Sequence, residues 1–126
     1  MKTYAEAAAF LGGRDSRTIP SIRSTSVERL SESGNIGLRY HGTYVVVYRA
    51  NGTYVLRSGG WRTNTTKSRI NDFSPARVYQ RNFQWYIMVR CETKPWPFHD
   101  GIVIDGSGKP VTHDESAADS GGEEKC

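Results

Sequence analysis

The sequence predicts an α+β protein with a mainly antiparallel β-sheet, an N-terminal helix and a second short helix after the central hairpin. Stretches rich in Val and Tyr are joined by tight turns, which favours antiparallel pairing. Two other segments begin with helix-capping residues. A length of 126 residues suits one domain. We expect that single ligand-binding domain at residues 1–104 and an acidic, disordered tail at residues 105–126.

The N-terminal helix is predicted to follow Thr3 and to end at Gly12-Gly13. Thr3 is a capping residue with Glu6 three positions later, and Gly12-Gly13 follows the apolar run, so both ends carry a signal. The next part is rich in Ser, Thr and Arg, with scattered Ile, Val and Leu. Short strands and a turn are expected there at residues 17–24, 26–30 and 33–35.

The central hairpin has the clearest strand signal. Residues 38–49 and 53–58 are rich in Val and Tyr, and Asn51-Gly52 lies between them. Asn and Gly both tolerate the positive φ of a type I′ turn, so the sequence predicts one strand on each side of that turn.

The second helix is predicted over residues 64–74. Thr63 or Thr65 would cap its start, and Pro75 would end it. A second hairpin is expected around Asn82, and Pro95-Trp96-Pro97 would then interrupt the chain. The remaining strands are expected at residues 76–81, 84–90 and 98–104.

The charge is divided unevenly along the chain. Residues 1–104 contain 15 Lys and Arg against 7 Asp and Glu, and 12 of the 15 are arginine, whereas residues 105–126 are acidic. An arginine-rich, positive body favours an anionic partner, such as a phosphate-bearing ligand or a nucleic acid.

The composition argues against a membrane protein and a disulfide scaffold. No apolar run approaches the ~20 residues of a membrane span, and the N-terminal segment is a poor secretory signal. Cys91 and Cys126 are too few for a disulfide framework. We therefore expect free thiols, no membrane contact and a cytoplasmic location.

Residues 58–71 combine the features of an anion-binding helix start. Gly59 and Gly60 let the backbone approach a ligand, and cations rather than acids surround the first turn. Trp61 offers a ring for stacking on a base. The alternative, equally compatible with the sequence, is that Trp61 packs in the core and the threonines only cap the helix. The spacing does not match a nucleotide-hydrolase loop, so ATP or GTP hydrolysis is not predicted.

The second hairpin indicates an interface. Arg77, Tyr79 and Arg81 alternate on one side of a strand, which suits either a phosphodiester or, more commonly, solvent. Apolar residues on both sides of residues 84–90 and the many tyrosines favour a homo-oligomer, a dimer or larger. No metal-ligand or nucleophile pattern is present. We therefore expect no enzyme activity, no cofactor and no metal.

Three motifs carry a resemblance to a known family. Residues 58–71, SGGWRTNTTKSRIN, resemble a signature of the type-one Thoeris anti-defence proteins of phages, in which it follows a β-hairpin. Residues 38–43 and 97–101 resemble two weaker signatures, and the helix at residues 4–13 also fits. The resemblance implies a sponge that sequesters cyclic ADP-ribose isomers made by bacterial TIR-domain enzymes, without cleaving them. It also implies homo-oligomers and, for some members, binding of cyclic di- or trinucleotides.

The resemblance and the residue chemistry together predict a set of ligand contacts near the second helix. Trp61, or as a weaker alternative Phe73, would stack on adenine, and the cations would hold the pyrophosphate. The threonines and Asn71 would bond ribose hydroxyls or base edges. Arginines of the second hairpin, in the same chain or in a neighbouring subunit, would close the pocket. The remaining predicted ligand-binding residues are Arg62, Thr65, Thr66, Lys67, Arg69, Arg77, Arg81 and Arg90.

Two other functions remain open at this point. A positive body with interleaved aromatic residues also suits a small nucleic-acid-binding domain. A protein that directly inhibits a bacterial defence enzyme is the third possibility, and it would need no small-molecule ligand.

Overall fold

The computed structural model describes residues 1–22, 24–30 and 34–111. Its helices and strands, in chain order, are α1 (Tyr4–Leu11), β1 (Ser16–Thr18), β2 (Thr25–Leu30), β3 (Asn35–Tyr40), β4 (Thr43–Tyr48), β5 (Tyr54–Leu56), α2 (Asn64–Phe73), β6 (Val78–Arg81), β7 (Gln84–Ile87), β8 (Trp96–Pro97) and β9 (Ile102–Ile104).

The strands form two antiparallel sheets. The larger sheet has the order β1-β2-β3-β4-β5-β9, and the smaller one has the order β6-β7-β8. Each neighbouring pair in both sheets is antiparallel. The predicted α+β class is therefore confirmed, including the N-terminal helix and the second helix after the central strands.

The first helix forms for the predicted reasons. The Thr3 hydroxyl accepts a hydrogen bond from the Glu6 amide at 3.1 Å, and Gly12 ends the helix with a φ of 58°. Ala7 and Leu11 are buried and join the main core. Because Thr3 caps the helix, α1 begins at Tyr4, as the predicted cap implies.

The predicted strand at residues 38–49 is in fact two strands. The chain reverses at His41-Gly42, so that Tyr40 pairs with Thr43. His41 adopts a positive φ of 57°, which a non-glycine residue seldom does. The prediction was wrong here because a histidine carries almost no turn signal.

The Asn51-Gly52 hairpin is at the predicted place but has another turn. The Gly52 amide donates to the Arg49 carbonyl at 3.0 Å, and Gly52 has a φ of 92° while Asn51 does not have a positive φ. The loop is therefore a three-residue turn that ends in a bulge, not a type I′ turn. The Asn51 side chain instead accepts from the Thr53 amide and hydroxyl at 3.0 and 2.6 Å.

The second helix is capped by Thr63, one of the two predicted candidates. The Thr63 hydroxyl accepts from the Thr66 amide at 3.2 Å, and Ser74 closes the other end by donating to the Ile70 carbonyl at 2.7 Å. The buried Tyr48 hydroxyl donates to the Phe73 carbonyl at 2.6 Å. This bond fixes the end of α2 against β4, and burial strongly raises the pKa of Tyr48.

The smaller sheet differs from the prediction at its ends. β6 begins at Val78 instead of residue 76, and β7 stops at Ile87 instead of Arg90. In the larger sheet, β9 is also shorter than the predicted strand at residues 98–104. Trp96-Pro97, predicted to interrupt the chain, pairs with β7 as an edge strand. Such an edge tolerates proline because it needs hydrogen bonds on one side only.

The N-terminal strands and turn are close to their predicted places. β2 begins one residue before the predicted start and ends at Leu30 as predicted, whereas β1 is confined to Ser16–Thr18. The predicted turn at residues 33–35 is described only from Gly34 onward, where the Gly34 amide donates to the Leu30 carbonyl at 3.2 Å.

Residues 105–111 lie within the predicted tail and fold back onto β9. The Asp105 carboxylate accepts from the Ser107 and Lys109 amides at 2.9 and 3.1 Å. The Val111 amide then donates to the Val103 carbonyl at 2.8 Å. The rest of the predicted tail, residues 112–126, lies outside the described residues.

The expectation of a free thiol is wrong at Cys91. Cys91 is disulfide-bonded, and no free cysteine occurs among the described residues. Cys126 lies outside the described ranges. Cysteine number alone does not reveal whether a thiol is paired.

Candidate functional site

A cavity of about 530 Å³ opens between the β3–β4 turn and the segment that leads into α2. This volume lies within the range of about 300–1,000 Å³ that is usual for small-molecule sites. We call this cavity the aromatic pocket. It is lined by Tyr40, His41, Gly42, Thr43, Val45, Ser58, Trp61, Thr63 and Thr66.

The aromatic pocket combines rings with hydroxyl groups. The Tyr40 and His41 rings lie 4.4 Å apart, and Trp61 exposes 67% of its surface. The hydroxyls of Thr63 and Thr66 lie 3.1 Å apart at the start of α2. The pocket can therefore stack a planar ligand and bond its polar groups.

Gly59 shapes the wall of the aromatic pocket. Gly59 has a φ of 65°, and a Cβ atom built at this position would collide with the Thr43 side chain. The backbone before Trp61 consequently packs directly on β4, which only glycine allows.

Asp100 holds the segment that contains Ser58 and Gly59 in place. Its carboxylate accepts from the Ser58 amide and hydroxyl at 2.9 and 2.7 Å and from the Gly59 amide at 2.9 Å. Burial alone raises the pKa of Asp100, but these bonds and the nearby Arg62 guanidinium outweigh it and lower the pKa. The charged carboxylate is therefore the stable form.

This arrangement corrects the predicted anion site at the glycine turn. The glycine turn was expected to let the backbone approach an outside anion, but the Ser58 and Gly59 amides bond the chain's own carboxylate. Arg62 also lies 4.0 Å from Asp100. The motif at residues 97–101 predicts no role for Asp100, since this contact joins positions about 40 residues apart.

Arg62 and Lys67 point toward the smaller sheet. The Arg62 Nε donates to the Ser58 hydroxyl at 3.1 Å, and its guanidinium lies 5.1 Å from the ring centres of both Trp85 and Phe98. The Lys67 ammonium lies 6.0 Å from the Trp85 ring. Neither cation lines the aromatic pocket.

Arg69 lies next to the aromatic pocket, against one of its lining residues. Its guanidinium is 5.3 Å from the ring centre of Tyr40, and its Nε donates to the Thr25 hydroxyl at 3.1 Å. Arg69 is thus a predicted cation held against a pocket-lining ring.

A second, polar cavity of about 340 Å³ shares His41 with the aromatic pocket. It contains Arg39, whose guanidinium lies 3.3 Å from the Glu28 carboxylate. Burial raises the pKa of Glu28, but bonds from Tyr44 and Arg39 lower it overall, so this pair is charged. The remaining lining residues are Thr18, Ser24, Thr25 and Ser26.

A family model describes most of the chain. Residues 6–105 match the model described as Kyanoviridae Gp96 protein. The chain belongs to this family. It is therefore a phage protein. No curated protein and no solved structure matches it, and none of these comparisons links it to Thoeris anti-defence. No helix in the described ranges has the length and apolar character needed to cross a membrane.

The structure brings only part of the predicted ligand set together. Trp61 and Thr66 line the aromatic pocket, and Arg69 contacts it. Phe73 is buried in the core with 8% exposure, so its ring offers no stacking surface. Thr65 is exposed and does not line the pocket.

Asn71 has a structural role. Its side-chain amide donates to the Val78 carbonyl at 2.9 Å and accepts from the Val78 amide at 2.7 Å. These bonds tie α2 to β6 and use both ends of the amide. Asn71 is therefore not available for a base edge.

The arginines of the second hairpin lie elsewhere. Arg77 lines a different cavity of about 350 Å³, and Arg81 and Arg90 are exposed and line none of the three cavities. Within one chain they do not close the aromatic pocket.

Only Trp61 and Thr66 of the nine residues that line the aromatic pocket were predicted ligand contacts. Tyr40, His41 and Thr43 belong to a motif that was noticed at residues 38–43, but no ligand role was assigned to them. No local signal in the sequence identifies them, because the turn at His41 that brings these rings to the end of the hairpin is set by the β3–β4 register.

Proposed function

We propose that this phage protein binds a small cyclic nucleotide of the cyclic ADP-ribose type in the aromatic pocket and sequesters it without cleaving it. The observation that best supports this is that the rings of Tyr40, His41 and the exposed Trp61 line one cavity together with threonine hydroxyls. Rings of this kind stack on a base, and hydroxyls bond ribose.

The charge of the site suits a pyrophosphate. Arg69 lies beside Tyr40, and Arg39 lies in the adjoining cavity across His41. Arg62 and Arg39 are each already paired with a carboxylate, so we assign the pyrophosphate to Arg69. A guanidinium forms two parallel bonds to phosphate oxygens.

Sequestration requires high affinity. A sponge acts by stoichiometry in the cytoplasm of the infected bacterium, so it needs sub-micromolar binding, about −8 kcal/mol or better. Homo-oligomers would place several such pockets in one particle. We expect size-exclusion chromatography with light scattering to give a dimer or larger.

A thermal-shift panel tests the proposal. It contains cyclic ADP-ribose isomers, linear ADP-ribose, cyclic di- and trinucleotides and a short single-stranded DNA. A ligand that binds the folded state raises Tm by mass action. We expect a shift with a cyclic ADP-ribose isomer that Trp61→Ala and Arg69→Gln abolish. The matched controls Trp96→Phe and Arg14→Gln should keep it.

Heat denaturation of the loaded protein then separates binding from catalysis. Intact cyclic ligand should be recovered after the protein is denatured, whereas recovery of a cleaved product would indicate an enzyme. A response to single-stranded DNA alone would instead favour a nucleic-acid-binding domain. If nothing in the panel binds, a direct inhibitor of a defence enzyme becomes the better explanation.

A further inference from the structure

The smaller sheet has a face that the aromatic pocket does not use. Tyr79 pairs with Tyr86 and Arg81 pairs with Gln84, so these four side chains share one side. Trp85 and Ile87 are buried on the opposite side. We call the first side the outer face; by register it consists of Arg77, Tyr79, Arg81, Gln84, Tyr86 and Met88.

The outer face carries stacking groups that are open to solvent. The Tyr79 and Tyr86 rings lie 5.8 Å apart at 34° to each other, and both are only half-buried. Met88 is 50% exposed. Apolar side chains grouped on a surface commonly mark a binding site.

The hairpin tip adds an aromatic ring at a conformational cost. Asn82 and Phe83 have φ values of 54° and 67°, as a type I′ turn requires, and glycine is the usual residue at the second position. Phe83 is 93% exposed, so its ring gains nothing from packing. A strained, exposed aromatic residue at a hairpin tip indicates a role in binding.

The outer face is also positive. Arg77 and Arg81 are exposed on it, and none of its six residues is acidic. The cavity of about 350 Å³ at the β6 edge is lined partly by Arg77, Tyr79 and Met88, and Lys2 adds another cation there.

We propose that the outer face binds single-stranded nucleic acid, with bases stacked on Tyr79, Tyr86 and Phe83. Arg77 and Arg81 would contact the phosphates. Rings between cations are the arrangement by which single strands are held without sequence preference. At ~3.4 Å per residue, the extended segment from Arg77 through β6 to Arg81 spans about 14 Å, enough for roughly three nucleotides.

Single strands suit this surface better than a duplex does. In a duplex the bases are paired and stacked on one another, so the exposed rings would have no partner. The site is separate from the aromatic pocket, and it does not depend on the function proposed there.

Fluorescence anisotropy with a labelled oligothymidine of about 12 nucleotides tests the proposal. We expect Phe83→Gly and Tyr86→Ala each to weaken binding by about tenfold. Phe83→Gly is informative because glycine relieves the positive φ, so this variant should fold at least as stably as the parent. Lost binding cannot then be attributed to unfolding.

Charge is tested with a matched pair of double variants. Arg77→Ser/Arg81→Ser should weaken binding and reduce the slope of log affinity against log salt by about 1.4. Arg14→Ser/Arg57→Ser has the same net charge but changes exposed residues next to strands of the larger sheet. It should therefore change neither the affinity nor the salt slope greatly.

Three results would overturn the proposal. They are the absence of binding at low salt up to about 100 μM protein, equal affinity for a duplex of the same length, and unchanged affinity in Phe83→Gly. Preferential binding of the single strand that falls in both Phe83→Gly and the outer-face arginine variant would support it.

Discussion

Removal of the Asp100 carboxylate should loosen the segment that carries Trp61. Asp100 accepts two hydrogen bonds from Ser58 and one from Gly59, so Asp100→Ala leaves three donors without their acceptor. The segment that begins at Ser58 forms one wall of the aromatic pocket. The substitution therefore tests whether the internal carboxylate organises the site.

The expected loss follows from the exposure of each donor. Ser58 is 1% exposed, so its amide stays buried without a partner, which costs about 1–3 kcal/mol. Gly59 is exposed, and water can replace the acceptor of its amide. The Arg62–Asp100 pair is 4.0 Å long with both side chains about 40% exposed, and such pairs contribute little. We expect a loss of about 2 kcal/mol in the free energy of unfolding.

Urea denaturation at neutral pH measures this loss. With a slope of about 1.5–2 kcal/mol per molar, the urea midpoint should fall by about 1 M. Arg14→Ala, an exposed substitution far from this contact, serves as the control. An Asp100→Ala midpoint within about 0.2 M of the parent would refute the reasoning.

The pH dependence gives an independent check. Hydrogen bonding lowers the pKa of Asp100 in the folded state despite its burial. The resulting stabilisation is complete above the pKa of the unfolded chain and is lost as the pH falls through the lower, folded pKa. Asp100→Asn has no carboxylate to protonate, so it should lose less stability than the parent as the pH falls below about 4. Parallel curves would contradict this.

Three further substitutions should change stability in stated directions. Gly59→Ala forces a Cβ against Thr43 at a φ of 65°, so calorimetry should show a loss of about 2 kcal/mol or more, and an unchanged Tm would count against the close packing. Tyr48→Phe removes the buried bond to the Phe73 carbonyl; urea denaturation should show a loss of about 1–3 kcal/mol, and no loss would mean that water satisfies the carbonyl. Phe83→Gly relieves a φ of 67°, so its Tm should rise by a few degrees, corresponding to about 1 kcal/mol; a lower Tm would show that the ring packs.

Local signals in the sequence predicted the helices well. Thr3 and Thr63 cap α1 and α2 through their own hydroxyls, and Gly12 and Ser74 end them within a residue or two of the predicted points. A cap depends on residues three or four positions apart. Such contacts can be recognised without knowing the fold.

Contacts between distant residues could not be predicted in this way. The Asp100 bond to Ser58 joins two segments that meet only because β5 pairs with β9. The His41 turn depends on the β3–β4 register and not on turn propensity. Both features define the aromatic pocket, so its shape was not visible in the sequence.

Only some of the predicted ligand-binding residues lie at one cavity in the structure. The helix start at residues 63–66 does line a pocket, yet helix packing decides which side chains reach it. Thr66 and Arg69, three positions apart, lie toward the pocket, whereas Asn71 bonds β6. The helical repeat shows which residues share a face of α2, but it does not show which face borders the pocket.

The most direct test of the proposed function is calorimetric titration of the protein with cyclic ADP-ribose isomers. The account predicts sub-micromolar binding for at least one isomer and a Kd at least tenfold higher in Trp61→Ala, with Trp96→Phe unchanged. Parent protein that binds no isomer at about 100 μM, or binds one equally well without the Trp61 ring, would contradict it.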